Sequence, residues 1–191
     1  QELSEDRARR IRHPLIEAVV GRATNIHVSR ISCGEMRRLA RIEDLCTLGC
    51  AVSFPPGETM DDVKAEITQA VRRASGSDPW LQENPPEITW VTGVTGGEVP
   101  IVHPLYRTAA AAVSQITGDA PHVNPMHTSS DIRNPIVEAG IPCVGIGCLG
   151  GDLSQNDRHD EWVDVADFQR MVDVTAAIVT DWCGGNPPPK D

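Results

Sequence analysis

The segment NDRHDEW, residues 156–162, sets His159 among Asp157, Asp160 and Glu161, directly after a glycine-rich run. A neutral imidazole nitrogen is a good zinc ligand, and a neighbouring carboxylate can orient the ring through its other nitrogen. Asp157, Asp160 or Glu161 suits that supporting part. A solvated acidic loop has the same composition, however, and one ligand does not make a site. In an open α/β sheet the functional groups collect in loops leaving the carboxyl ends of strands, which is where the sequence puts His159.

The preceding run, GIGCLG from Gly145 to Gly150, has the G-x-G-x-x-G spacing of a dinucleotide loop. That fingerprint also requires a helix opening at the last glycine and an acidic residue on a later strand. Here Asp152 and Asp157 follow instead, and carboxylates there would repel a pyrophosphate. The glycines are read as a sharp backbone turn. Cys148 with His159 as a thiol-hydrolase pair is disfavoured, because Cys148 lies in an apolar stretch without an activating cation. Gln1 is not Ser, Thr or Cys, so an N-terminal nucleophile is excluded.

These residues need elements to position them. Residues 5–20 read as a helix that Pro14 restarts or kinks. TNIHVSRIS alternates loosely, as a half-exposed strand does, and DLCTLGCAVSF is apolar at nearly every position, as a strand covered on both faces is. Thr59 caps a helix with Val63, Ile67, Ala70 and Val71 on its apolar face, a loop follows at GSDPWLQENPP, and EITWVTGV is a further strand. The first part is therefore an antiparallel α+β module.

From residue 99 the pattern changes. HPLYRTAAAAVSQITG is a helix with Pro104 in its first turn and Gly118 ending it. APHVNPM is a short strand candidate. NPIVEAG is a short helix capped by Asn134 and stopped by Gly140, and IPCVGIG is a strand of the kind buried in a parallel sheet. The last helix puts Phe168, Met171, Val172, Thr175, Ile178, Val179 and Trp182 on its inner face. The fold class is α/β, with domains at 1–98 and 99–191.

Composition bounds the function. The net charge is −10, with 40% apolar and 23% charged residues, so neither nucleic acid nor an anionic membrane is an expected partner. The one cationic cluster is Arg7, Arg9, Arg10 and Arg12. The six cysteines, Cys33, Cys46, Cys50, Cys143, Cys148 and Cys183, form no C-x-x-C and read as buried thiols of a cytoplasmic protein. No stretch approaches the roughly 18 apolar residues of a membrane span. The chain starts at Gln1 without methionine, so a start further upstream is expected.

A resemblance covers nearly the whole chain. TNIHVSRISCGE followed by DLCTLGCAVSFPPGETMDDVKAEI resembles the second half of the lid, or dimerisation, domain of the M20 metallopeptidase family, which includes acetylornithine deacetylase, succinyl-diaminopimelate desuccinylase and aminoacylase. HTSSDIRNPIVEAGIPCVGIG is similar to the family's GTSDAR segment, and RHDEWVDVADF to the segment carrying its final metal-binding histidine. The resemblance implies an antiparallel α+β lid followed by the C-terminal half of an α/β zinc-hydrolase catalytic domain.

It also implies His159 as a metal ligand, with Zn2+ (two per site, Co2+ or Mn2+ as substitutes) as cofactor. Ser129, Ser130, Asp131 and Arg133 fall on the family's substrate-pocket loop. The bland alternative stays open: the serines satisfy turn backbone, and Asp131 pairs with Arg133. His127 stands where relatives usually have glycine, and either touches substrate or is incidental. Glu161 reads as a hydrogen-bonding neighbour.

The same comparison exposes what these residues lack. The family's metal centre needs H-x-D, a bridging aspartate and adjacent glutamates, one of which takes the proton of a metal-held water. None of the six histidines is followed two positions later by aspartate, and no two glutamates are adjacent. No catalytic residue is therefore expected in this chain. Where relatives carry an asparagine and a proline before a lid strand, it reads Ala40 and Glu43; where they carry an arginine before PGE, it has Ser53. The expected function is amide hydrolysis of a small N-acylated compound, with a second polypeptide supplying the other metal ligands and further oligomerisation through the lid. The alternative is a non-catalytic structural or regulatory subunit.

Overall fold

In a computed structural model the described residues are 1–34, 37, 40–41, 45–124, 131–151 and 158–184. They form seven α-helices and one two-stranded antiparallel sheet, a mixed α/β chain. Two compact units divide it, one running Gln1–Gly96 and the other starting at Gly97.

In the first unit, helices α1 (Glu2–Arg10) and α2 (Pro14–Val20) are separated where proline breaks the amide ladder. The single helix expected over 5–20 is thus two, with His13 accepting at Nδ1 from Ile16 N–H (3.4 Å) to cap the second. Arg7 on α1 is fully buried. Its guanidinium donates to Glu58 (2.7 Å), to Glu66 and to Thr24 Oγ1 (3.3 Å). Arg10 pairs with Asp6 and Glu66, and Arg12 with Glu17. The cationic cluster is thereby neutralised within the unit, and Arg7 ties α1 to the later segment that carries Glu58 and Glu66.

Strand β1 (Asn25–Cys33) pairs antiparallel with β2 (Cys46–Ser53). A bulge at Ser29 separates the Val28↔Cys50 pair from Arg30↔Gly49. That extra residue resets the phase of the alternation. Ile26, Val28, Ile31 and Cys33 then face Val52, Cys50, Leu48 and Cys46 on one side, while Asn25, His27, Arg30 and Ser32 face Ser53, Ala51, Gly49 and Thr47 on the other. This explains the loose spacing in the sequence and corrects the expectation for β2: one face is apolar, not two. Much of that face is exposed, with Ile31 at 69% and Leu48 at 55%. The expectation of buried thiols fails for the same reason. Cys33, Cys46, Cys50 and Cys183 are exposed, and Cys143 and Cys148 are half-buried.

Helix α3 (Met60–Ser75) begins as expected, Thr59 Oγ1 accepting from Asp62 N–H (3.1 Å). It buries Val63, with Ile67, Ala70 and Val71 half-buried on the same side. The expected loop at 76–86 contains a short helix α4 (Pro79–Glu83), because Asp78 accepts from the N–H groups of Trp80 and Leu81 (2.9 and 3.0 Å) just before proline. The strand expected at EITWVTGV has no ladder partner among the described residues and runs as irregular chain. It is held from the side: Met60 N–H donates to Thr95 Oγ1 (3.1 Å) and Lys64 lies over the Trp90 ring.

The second unit contains α5 (Pro104–Thr117), α6 (Arg133–Ala139) and α7 (Val165–Val179), the last continuing into a π-helical turn Thr180–Gly184. His103 caps α5 by accepting at Nδ1 from Leu105 N–H (3.1 Å), and Gly118 ends it at φ 82°. Helix α6 starts one residue before the expected Asn134 cap. Asn134 N–H already donates to Asp131 O (3.0 Å), so the turn closes earlier. The segments 120–124 and 141–148 form no ladder, so the parallel sheet expected here is not present among the described residues; a strand exists only where a partner shares its ladder.

Helix α7 packs against α5 through a side centred on fully buried Val174, flanked by half-buried Met171 and Ile178. The inner face expected from the sequence is therefore rotated. Phe168, Val172 and Val179 lie on a different, exposed side and line an open groove with Thr175 and Ala176. No helix among the described residues is long and apolar enough to cross a membrane.

Candidate active-site loop

The loop carrying His159 is built from its two ends. Gly150 and Val163 form an antiparallel bridge, with Gly151 N–H donating to Trp162 O (3.2 Å) and Asp164 N–H to Leu149 O (2.9 Å). A Cβ on Gly150 would sit 3.0 Å from the Trp162 carbonyl oxygen, tight enough that a side chain there would have to push the bridge apart by a few tenths of an ångström. The GIGCLG run therefore ends in a bridge and not at a helix, as its flanking carboxylates imply.

Beyond the bridge, Asp164 caps α7 by accepting from Asp167 N–H (2.7 Å). Asp167 in turn accepts from Leu149 N–H (2.6 Å) and pairs with Arg170 (2.9 Å). Its carboxyl is held below the ordinary range, first by the Leu149 amide and then by the Arg170 guanidinium. This clamp went unread in the sequence, although D-V-A-D, an acidic cap with a second acid three residues on, is a visible helix-start signal.

His159 lies in a turn closed by Glu161 N–H donating to Arg158 O (3.3 Å), and it is exposed together with Asp160 and Glu161. Asp131 is exposed and accepts from Asn134 Nδ2 (3.4 Å); Arg133 is half-buried at the start of α6. Among the described residues Asp131 bonds Asn134 and forms no ion pair with Arg133. Ser129, Ser130 and His127 lie outside the described residues, as does Asp157. Ala40 and Ser53 are both exposed.

The histidines sort by what the chain asks of them. His13 and His103 spend Nδ1 on helix caps, and His27 sits on the polar face of the β ribbon. Among the described residues His122 and His159 lie outside helices, strands and helix caps, and His159 is four residues before Val163 of the Gly150–Val163 bridge. As a donor set for a metal the described residues do not suffice: no group of three or more His, Cys, Asp or Glu side chains converges among them. Three or four protein donors are the usual requirement.

Residues 13–181 match the sequence pattern of peptidase family M20/M25/M40, and the chain belongs to that family. Within it, the chain is similar to two curated relatives, both N-formyl-4-amino-5-aminomethyl-2-methylpyrimidine deformylases. It is 31% identical over 161 residues to the protein of Bacillus subtilis (strain 168), and 24% identical over 161 residues to that of Halalkalibacterium halodurans. Each alignment covers 77% of this chain and 36% of the relative, so the chain spans about a third of the length of the proteins it matches.

Proposed function

We propose that the chain forms the C-terminal part of an M20-type amide hydrolase acting on a small N-acylated compound, with an N-formylated aminomethylpyrimidine the first substrate to try. The observation that carries this reading is the family match across residues 13–181, joined to relatives whose name specifies removal of a formyl group from nitrogen. In this reading His159 is one zinc ligand, and the remaining donors and the general base lie in segments outside these 191 residues. The metal, when bound, would polarise the amide carbonyl and activate water. This chain's own share is to hold the His159 ring at a fixed height on the clamped loop. Asp131, Arg133, Ser129, Ser130 and His127 would line the substrate end of the pocket.

The two apolar surfaces support a partner. A helix that is apolar on two sides, as α7 is, belongs inside a larger assembly. The exposed face of the β1–β2 ribbon has the same character.

The test is metal content and deformylase activity of the chain mixed with the N-terminal portion of a family member. Zinc retained only in the mixture, and lost together with activity on His159→Ala, is the expected result. A non-catalytic, structural role is favoured by Ala40 and Ser53, which replace polar residues that reach the substrate in relatives; full activity after His159→Ala would establish it.

A further inference from the structure

Cys33 and Cys46 occupy directly opposed positions at the last pair of the β1–β2 ladder, past the bulge and in unbroken register through Arg30↔Gly49, Ile31↔Leu48 and Ser32↔Thr47. Opposed residues of an antiparallel pair share a face and stand about 4.5–5.5 Å apart at Cα. That lies inside the separation of roughly 4.4–6.8 Å that a disulfide requires. Both cysteines carry thiols and both are exposed. Cys50 is also exposed on the same face, but it is four residues along β2 from Cys46 and opposite Val28. At about 3.3 Å of rise per residue it is too far to bridge either one.

We propose that Cys33 and Cys46 are a reversible cross-strand dithiol–disulfide couple, oxidised by low-molecular-weight disulfides of the glutathione class. One cysteine thiolate attacks a sulfur of the small disulfide, whose S–S bond breaks and expels one thiolate, leaving a mixed disulfide on the protein. The opposing cysteine thiolate then attacks the protein-side sulfur and expels the second small thiolate. Two protein thiols and one small disulfide become one protein disulfide and two small thiols; the two cysteine protons end on the released thiols, and the protein loses two electrons. Exposure admits the reagent, and the register makes the second step intramolecular. The bridge joins the ends of the connection between the strands, and so holds the loop end of the ribbon in register.

The experiment equilibrates the full chain in glutathione buffers of graded oxidised-to-reduced ratio, quenches with an alkylating agent and maps peptides by mass. The expected product is a single bridged peptide pair containing Cys33 and Cys46, its ratio to the dithiol form rising with oxidised glutathione over the square of reduced glutathione. Cys50→Ser leaves this titration unchanged, and Cys33→Ser converts the product to a glutathione adduct on Cys46. Separate glutathione adducts on both cysteines of the unmodified sequence, or a bridge from either to Cys50, would overturn the proposal.

Discussion

The surroundings of Arg7 and of His159 are opposites in how far the chain satisfies its own polar groups. Arg7 is fully buried, and its guanidinium is taken up by Glu58, Glu66 and Thr24, the last of which donates onward to Ser53 O (2.8 Å). His159 and its neighbours Asp160 and Glu161 are exposed, close to the Gly150–Val163 bridge. A polar residue fully engaged by its own chain holds the fold together. Arg7, part of the one basic cluster in the sequence, is engaged within the fold, whereas His159, the expected metal ligand, is exposed.

The largest effect that would break this contrast is at Arg7. Arg7→Ala leaves Glu58 and Glu66 without their buried cation, and losing one partner of a buried ionic cluster costs about 3–5 kcal/mol. The two carboxylates keep 18% and 27% side-chain exposure, which favours the lower end of that range. Urea unfolding should show it as a shift of midpoint. A change near zero would mean that the cluster is no more than a surface network.

Smaller, but closer to the site, is Asp164→Ala. It removes the α7 cap, a loss of about 1 kcal/mol by itself. The informative readout is local, because Asp167 clamps Leu149 from the same helix start. Amide exchange at Leu149, Gly151 and Asp164 should accelerate relative to α5. Uniform acceleration through the second unit would mean that the loop has no stability separable from its helices.

Where the sequence was legible, a local rule carried it. Thr59, Gly118 and Gly140 bound helices through hydrogen-bonding and backbone preferences that a few residues determine by themselves. The strands failed where they depended on a neighbour: EITWVTGV and IPCVGIG carry the right residues and find no ladder among the described ones. The bulge at Ser29 shows the same limit at finer scale, since only pairing reveals why Val28 and Ile31 are three apart and still share a face. At the candidate site, the expectation for His159 comes from the family resemblance and awaits its test, whereas the Leu149–Asp167 clamp depends on a contact across 18 residues that no spacing announces. The exposed side of α7 was read as buried because periodicity reports that a face is apolar and not what covers it.

Charge sharpens the comparison at a third place, the exposed Arg12–Glu17 pair. Glu17 is lowered from an ordinary 4.5 to about 2, first by the Arg12 guanidinium and next by the His13 backbone N–H. A carboxyl depressed in the folded state adds stability that is present above its unfolded value and lost as pH falls through the folded one. Its contribution is therefore constant above about pH 4.5 and vanishes toward pH 2. Glu17→Gln should flatten that part of an acid-unfolding curve, lowering stability at neutral pH by the small amount expected of an exposed pair and leaving it unchanged near pH 2.

The smallest expected effect on folding is the most telling for function. His159 makes up no part of the bridge, the α7 cap or the Asp167 clamp, so His159→Ala should leave the unfolding midpoint within about 0.5 kcal/mol of the parent, as for most exposed positions. If the assembled enzyme then loses zinc and amide hydrolysis together, the imidazole serves the metal and not the loop. His159→Gln separates the two further, keeping a polar side chain of similar reach while removing the ring nitrogens that bind zinc. Zinc content restored by glutamine would place the contribution in loop geometry, and a deficit equal to that of alanine would place it in the imidazole itself.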